Sequence, residues 1–283
     1  MAKTAQSEAL QSFFPPATHG SALVTGGARR IGAAICRTLA HAGYAVAIHV
    51  RHAGEDSAAL RDDIVSHGGR AVVIEADLAQ ADHVQRLIAD ATTAIGLASG
   101  RDTDRDPLSV LVNNASVFEH DEAEIIEPEK FDRHMAINAR APLLLAQAFA
   151  AQEFSPQATA AGLVSIINIV DQRVAKPTPA FFSYALSKHA LNVATMMLAQ
   201  RLAPAIRVNA VAPGPTLPSP RQTAEDFARQ AAALPLQRGP SAADIADAVL
   251  YLVRARAVTG QTVMVDGGQH TAWRTPDTDG IRE

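Results

Sequence analysis

The chain has 283 residues, of which 48% are hydrophobic and 19% are charged, and its 25 basic and 29 acidic residues leave a net charge of −4. This composition excludes a disordered chain, and the weak net charge argues against nucleic acid and membrane surfaces as partners. The sequence contains one cysteine, Cys36, which excludes an intrachain disulfide and favours a cytoplasmic location. No run of about 18 apolar residues occurs, so no transmembrane helix is predicted.

Residues 1–20 lack a basic start followed by an apolar core and a cleavage site, so we interpret them as a flexible arm and not as a signal peptide. From residue 21 onward, short apolar runs alternate with helical patterns. Seven of these runs are bounded by turn-forming or polar residues and are predicted as strands: residues 21–25, 45–50, 71–76, 108–112, 163–169, 206–212 and 261–265.

The segments between these strands carry helical periodicity. Helices are predicted over residues 31–41, 57–67, around 84–95, twice within 128–154, over 184–202 and after the cap at Ser241, with a surface loop over 96–107. Apolar strands separated by helices indicate an α/β fold: a single doubly wound Rossmann domain over residues 21–270, with a seven-stranded parallel sheet and helices on both faces. Residues 271–283 are predicted to form a C-terminal tail outside this domain.

The turn after the first strand is rich in glycine. Its glycines let backbone amides approach a pyrophosphate at the N terminus of a helix, although a tight turn without a ligand uses the same residue type. The residues of this turn that we predict to bind a nucleotide are Gly26, Arg29, Arg30, Ile31 and Gly32.

Polar residues also follow two later strands. Asn114, Ala115 and Ser116 come after the fourth strand, and Tyr184 and Lys188 open the long helix after the fifth. Residues four apart share one helix face, so Lys188 is expected to lie beside Tyr184 and to lower the pKa of its phenol from about 10. The pair predicts a tuned proton donor, although this spacing is also common on helices without a catalytic role.

Taken together with Asn138 and the sequence Val265-Asp266-Gly267-Gly268, these motifs resemble the short-chain dehydrogenase/reductase family over residues 21–268. The resemblance implies that Tyr184, Lys188 and Asn138 are catalytic. It further implies that Lys188 holds the cofactor ribose and that Asn138 links Lys188 to solvent. The family usually forms homotetramers through the helices equivalent to 138–154 and 184–202.

Two positions depart from the common family pattern. Arg30 stands where most members have glycine, and Asp171, thirteen residues before Tyr184, stands where most have serine. Both replacements resemble the pteridine reductases and dihydromonapterin reductases, which use an Asp–Tyr–Lys catalytic set, and Phe118 matches the aromatic residue that covers their pterin ring. A carboxyl group beside a phenol relays a proton and accepts N–H groups of a donor-rich ring, which suits reduction of a C=N bond.

This resemblance and the positions after the strands define a substrate-binding set: Arg30, Ser116, Phe118, Asp171, Tyr184, Pro215 and Leu217. Simpler roles stay open for three of them. Phe118 also fits a packing role, Arg30 a phosphate contact alone, and Asp171 a structural cap. The segment from Pro213 and Gly214 to about residue 233 is expected to close over cofactor and substrate.

Cofactor choice is expected to show at the end of the second strand, where an NAD-selective site has a carboxylate. Here Arg51 and His52 follow the strand, and they favour the 2′-phosphate of NADPH unless Arg51 is simply solvated. Asp77 resembles the residue that meets the adenine, with a helix cap as its simpler role. The full predicted cofactor set is Gly26, Arg29, Arg30, Ile31, Gly32, Arg51, His52, Asp77, Leu78, Asn114, Ala115, Ser116, Tyr184, Lys188, Pro213 and Gly214.

The sequence therefore predicts an NADPH-dependent reductase that converts a dihydropterin or dihydrofolate to its tetrahydro form. Two alternatives remain: a family member that reduces a ketone or an acyl-chain carbonyl, with Asp171 a tolerated variant, and a non-catalytic NADP-binding protein. The ten histidines lack metal-ligand spacing, so no metal is expected. Trp273 either closes a neighbouring subunit's pocket or packs locally.

Overall fold

Seven strands form one sheet in which every neighbouring pair is parallel. The structure is a computed structural model that describes residues 20–98, 107–219 and 221–272. The strands are β1 (Ser21–Val24), β2 (Ala45–Val50), β3 (Arg70–Glu75), β4 (Val110–Asn113), β5 (Ser165–Ile169), β6 (Arg207–Pro213) and β7 (Thr262–Val265). Their spatial order is β3-β2-β1-β4-β5-β6-β7, which confirms the predicted doubly wound α/β sheet.

Helices cover both faces of this sheet. They are α1 (Arg30–His41), α2 (Glu55–Ser66), α3 (Ala81–Ala98), α4 (Pro128–His134), α5 (Ala141–Ala150), α6 (Pro156–Ala160), α7 (Phe182–Leu202), α8 (Ala224–Ala232) and α9 (Ala242–Arg254). A π-helical segment, Met135–Arg140, joins α4 to α5, and two 3-10 turns occupy Gln172–Val174 and Gln269–Thr271. In the part of the chain that the structure describes, no helix is both long and apolar enough to cross a membrane.

Alternation along the strands divides the core into two layers. Successive side chains of a strand point to opposite faces, so Val24 packs with α1 and α9 whereas Leu23 packs with α3 and α5. The chain proceeds outward from β1 to β3 on one side and from β4 to β7 on the other, so the winding direction reverses between β1 and β4. Ligands of doubly wound sheets bind at the carboxyl ends of the strands near this reversal.

Several helical segments differ from the prediction. The helix α3 continues to Ala98, so residues 96–98 of the predicted 96–107 loop are helical. The two helices predicted within 128–154 follow one another without a break, because the π segment connects them. The helix α8 lies in a region predicted as loop, and a capping signal was present there, since the Asp226 amide donates to the Thr223 hydroxyl at 3.0 Å.

Several predictions fall on residues that the structure does not describe. These are the N-terminal arm up to residue 19, residues 99–106 of the surface loop, and the tail from residue 273, which includes Trp273. They stay predictions.

Candidate active site

The turn after β1 brings glycine backbone against the start of α1. Gly26 has a φ of +61°, and its N–H donates to His49 Nδ1 at 3.1 Å. A Cβ atom at Gly32 would lie 2.2 Å from Gly26 O, so α1 approaches the turn at a distance that only glycine permits. Asn114 Nδ2 donates to Thr25 O at 2.8 Å and to Gly26 O at 3.1 Å, which holds the turn against the end of β4.

A first cavity of about 400 Å³ lies in front of this turn. The predicted cofactor residues that line it are Gly26, Arg29, Arg30, Ile31, Gly32, Arg51, Asp77, Leu78, Asn114, Ala115 and Ser116. Guanidinium groups beside a helix N terminus favour a ligand that carries phosphate. Within this lining, Arg51 Nε lies 3.7 Å from Asp77 Oδ2. His52 lies outside the lining, and its Nδ1 is 3.6 Å from Glu75 Oε1.

Sequence reasoning missed His49, which is buried at the first cavity. Its Nδ1 accepts the Gly26 N–H and its Nε2 lies 3.0 Å from Ala76 O, so these partners require the neutral tautomer with the proton on Nε2. Burial lowers the pKa of His49 to about 4, which keeps the ring neutral at physiological pH. A histidine inside an otherwise apolar strand was the available signal.

A second cavity of about 590 Å³ lies at the carboxyl ends of β5 and β6. The predicted residues that line it are Arg30, Ile31, Asn114, Ser116, Phe118, Asp171, Tyr184, Lys188, Pro213, Gly214, Pro215 and Leu217. Four of these, Arg30, Ile31, Asn114 and Ser116, line both cavities, so the two adjoin. The structure thus brings the whole predicted substrate-binding set to one cavity.

Arg30 connects the start of α1 to the segment after β6. Its guanidinium donates from Nη1 to Pro218 O at 3.0 Å and from Nη2 to Leu217 O at 3.2 Å. Its φ is +52°, a left-handed conformation that favours glycine. A long side chain held in such a conformation marks Arg30 as a candidate functional residue.

The side chains of Asp171 and Tyr184 meet inside the second cavity. Tyr184 Oη donates to Asp171 Oδ2 at 2.8 Å. Asp171 Oδ1 accepts the Arg173 backbone N–H at 2.8 Å, and Arg173 Nη1 lies 3.2 Å from both carboxylate oxygens. Asp171 therefore caps the 3-10 turn after β5, the structural role considered for it, while it also binds the phenol.

The pKa of the Tyr184 phenol is shifted in the direction opposite to the prediction. Burial raises it well above 10, and the negative charge of Asp171 raises it further, whereas the cation that opposes this shift is Arg173. Lys188 Nζ instead donates to Ile169 O at 2.8 Å, and burial lowers the pKa of Lys188 to about 8. The expectation that Lys188 lowers the Tyr184 pKa is wrong for this structure, because burial and the neighbouring carboxylate dominate.

Asn138 lies in the π segment and is fully buried. Its Oδ1 accepts the Val117 N–H at 2.9 Å, and its Nδ2 donates to Val117 O at 3.0 Å and to Ser187 Oγ at 3.1 Å. No hydrogen bond joins Asn138 to Lys188, although both residues are described. Asn138 therefore ties the chain after β4 to α7 beside Lys188, and its predicted link from Lys188 to solvent stays a prediction.

Three residues that sequence reasoning missed complete the outer wall of the second cavity: Arg173, Phe181 and Arg221. The Phe118 and Phe181 rings stack with their centroids 4.3 Å apart, and Phe118 meets the Tyr184 ring edge to face at 4.6 Å. The guanidinium carbons of Arg173 and Arg221 lie 5.2 to 5.7 Å from the centroids of the two phenylalanine rings. Arg173 lies in a 3-10 turn, and Phe181 and Arg221 lie outside the helices and strands, so no periodicity marks them.

Known proteins resemble this chain over most of its length. The family model described as enoyl-(acyl carrier protein) reductase matches residues 26–270. A crystal structure of FolM alternative dihydrofolate reductase 1 from Brucella suis, in complex with NADP, is 45% identical, covers 92% of this chain and 98% of its own chain, and has a TM-score of 0.82.

Two curated relatives differ from each other in their named activity. Pteridine reductase 1 from Leishmania tarentolae is 31% identical over 87% of this chain and 95% of its own length. The 3-oxoacyl-(acyl-carrier-protein) reductase FabG from Staphylococcus aureus is 30% identical over 88% of this chain and 98% of its own length.

Proposed function

This chain belongs to the short-chain dehydrogenase/reductase family of oxidoreductases, and we propose that it reduces a dihydropterin or dihydrofolate ring with NADPH. The observation that carries the proposal is the 2.8 Å hydrogen bond from Tyr184 Oη to Asp171 Oδ2 in a cavity walled by aromatic rings. The similarity to Brucella FolM and to Leishmania pteridine reductase supports the same substrate class.

The first cavity fits a dinucleotide. The lining includes the first residues of α1, where a pyrophosphate would meet the positive end of the helix dipole, and Arg30 and Arg51 are placed at the lining to hold phosphate. Lys188, which lines the second cavity beside Tyr184, would bind the ribose of the nicotinamide half. When bound, NADPH supplies the hydride that reaches the substrate ring carbon.

The side chains of the second cavity would supply the proton and bind the substrate ring. The Tyr184 phenol, whose pKa is raised by burial and by Asp171, is protonated at neutral pH. Its Oη–H would turn from Asp171 Oδ2 to the ring nitrogen and transfer its proton there, so that hydride and proton together saturate the C=N bond and the Tyr184 phenolate is left to regain a proton from solvent. Asp171 holds the phenol through Oδ2 and offers acceptor oxygens to ring N–H groups. Arg173 balances the carboxylate charge, and the Phe118 ring offers a face for a flat heterocycle.

Reduction of a ketone or an acyl-chain carbonyl is the second candidate function, because the Staphylococcus relative is named a 3-oxoacyl-(acyl-carrier-protein) reductase. The test is NADPH consumption with dihydrobiopterin, dihydrofolate and a panel of activated ketones and 3-oxoacyl thioesters. We expect kcat/KM for a dihydropterin to exceed that for every carbonyl compound by at least about tenfold. A preference for a carbonyl compound would replace the pterin proposal with the second candidate.

We also propose that the chain works as a cytoplasmic homotetramer. The helix α7 leaves Val193, Met196 and Met197 exposed, and a patch of this kind is typical of a subunit contact. Analytical ultracentrifugation should give about four times the chain mass of 29.8 kDa, and a mass equal to one chain would contradict the proposal.

A further inference from the structure

The outer part of the second cavity carries a positive charge that the proposed proton transfer does not use. Asp171 is the acidic residue in the described lining, and Arg173 already pairs with it at 3.2 Å. Arg221 also lines the cavity and is exposed. Within the described residues, the hydrogen bond of its guanidinium is the one from Nη2 to Phe118 O at 3.1 Å, and no carboxylate lies within ion-pair distance of it.

Arg221 stands at the edge of an apolar platform. Its guanidinium carbon lies 5.2 Å from the centroid of Phe118 and 5.4 Å from that of Phe181, and these two rings are stacked on each other. His120 meets Phe181 edge to face at 4.9 Å and extends the platform. The arrangement places a flat aromatic surface and a cation side by side at the outer wall, and Phe118 connects this surface to the Tyr184 ring of the inner part.

Acidic residues near this wall do not neutralise Arg221. Glu119 pairs with Arg133 at 3.2 Å, and Glu122 lies 3.7 Å from His120. Neither glutamate lines the cavity. An anion that enters the second cavity therefore meets an Arg221 guanidinium that pairs with no carboxylate among the described residues, since Asp171, the acidic residue of the described lining, is paired with Arg173.

We propose that Arg221 with Phe181, the outer ring of the Phe118–Phe181 stack, forms a subsite for a substrate tail made of an aromatic stem that ends in a carboxylate, as in the benzoylglutamate of dihydrofolate. A guanidinium presents a planar fork that matches a carboxylate, and the stacked rings provide a face for the stem. The inference rests on the proposed function, because the pterin ring must occupy the inner part of the cavity beside Asp171 for its tail to reach Arg221.

The test compares two substrates that share the dihydropterin ring and differ in the tail. Dihydrofolate carries the aromatic stem and carboxylates, whereas dihydrobiopterin carries a short neutral side chain. We expect Arg221→Gln to lower kcat/KM for dihydrofolate about tenfold, mainly through KM, and to change the value for dihydrobiopterin by less than about twofold. Arg221→Lys, which keeps the charge, should recover part of the loss.

Arg229→Gln is the matched control, since Arg229 pairs with Asp226 on α8 and does not line either cavity. It should leave both substrates unaffected. An NADPH titration by fluorescence checks that Arg221→Gln is folded, because Arg221 lies outside the first cavity.

The outcomes separate the subsite from the proposed function. Equal losses for both substrates, or no loss for dihydrofolate, would overturn the subsite while the reduction of dihydrobiopterin by the wild type preserves the proposed function. A wild-type enzyme that reduces neither substrate would overturn both proposals.

Discussion

The two adjoining cavities of this protein are built in different ways. Backbone shapes the first cavity, where Gly26 and Gly32 belong to one short segment and pack at close range. Side chains shape the second cavity, and Phe118, Asp171 and Arg221 come to it from distant parts of the chain. A local turn thus provides the nucleotide site that the family shares, whereas long-range packing of loops determines the substrate.

The most damaging change to the first cavity is Gly32→Ala. The added Cβ would lie 2.2 Å from Gly26 O and 2.7 Å from Asn114 Nδ2, so we expect a loss of about 3 kcal/mol in the free energy of unfolding, together with loss of NADPH binding. Urea denaturation and a fluorescence titration measure the two effects. Gly54→Ala is the control, because nothing lies within 4 Å of a Cβ at Gly54, and equal behaviour of both variants would contradict the account.

The matching change to the second cavity is Tyr184→Phe. It removes the proton donor but keeps the ring that packs against Phe118, so we expect kcat to fall about a hundredfold while NADPH still binds. Steady-state kinetics and a binding titration check this separation. Tyr251→Phe, at an exposed position on α9, should have normal kcat, and a Tyr184→Phe variant with near-normal turnover would assign the proton donor elsewhere.

The preference for NADPH over NADH tests whether the first cavity selects the cofactor. Because Arg51 lines this cavity at the end of β2, we expect kcat/KM with NADPH to exceed that with NADH by about tenfold. Arg51→Ala should remove most of that preference by raising KM for NADPH, with little change for NADH. Arg61→Ala, on the exposed surface of α2 and paired with Asp62, is the control. An enzyme that prefers NADH would contradict the prediction.

The smallest expected effect concerns Lys188 and pH. Burial lowers its pKa from 10.5 to about 8, so Lys188 loses its positive charge as pH rises through about 8. A ribose and phosphate ligand binds the charged form better, and we expect NADPH affinity to be about fivefold weaker at pH 9 than at pH 7. Lys188→Met should bind weakly with no such dependence. A flat wild-type profile over this range would show that the charge of Lys188 does not contribute.

The sequence predicted the residues of the first cavity more completely than those of the second. The glycine turn is local, and the doubly wound parallel sheet follows from the alternation of apolar runs and helices, so both were predictable, whereas the spatial order of the strands was not predicted. Tyr184 and Lys188 were found by their spacing and Asp171 by the family resemblance, but neither signal shows burial, and the shift of the Tyr184 pKa was therefore predicted in the wrong direction. Phe181 and Arg173 were not predicted from the sequence, because their contacts with the other residues of the cavity depend on tertiary packing.

The π-helical segment and the role of His49 were also not predicted from the sequence, each for a physical reason. A π-helical segment has no distinct hydrophobic period, so the continuity of α4 with α5 and the partners of Asn138 were not predictable. His49 was readable as an exception in an apolar strand, but its support of Gly26 depends on the pairing of β1 with β2.

The central claim is that Asp171 adapts a carbonyl-reductase scaffold to a C=N bond, and Asp171→Ser tests it most directly. The substitution restores the residue that most family members have at this position. The measurement compares wild type and variant on dihydrobiopterin, dihydrofolate and an activated ketone at saturating NADPH. We predict that kcat for both pterins falls at least about tenfold while any ketone reduction is retained. Full pterin turnover by Asp171→Ser, or a wild type that reduces the ketone and ignores both pterins, would contradict the account.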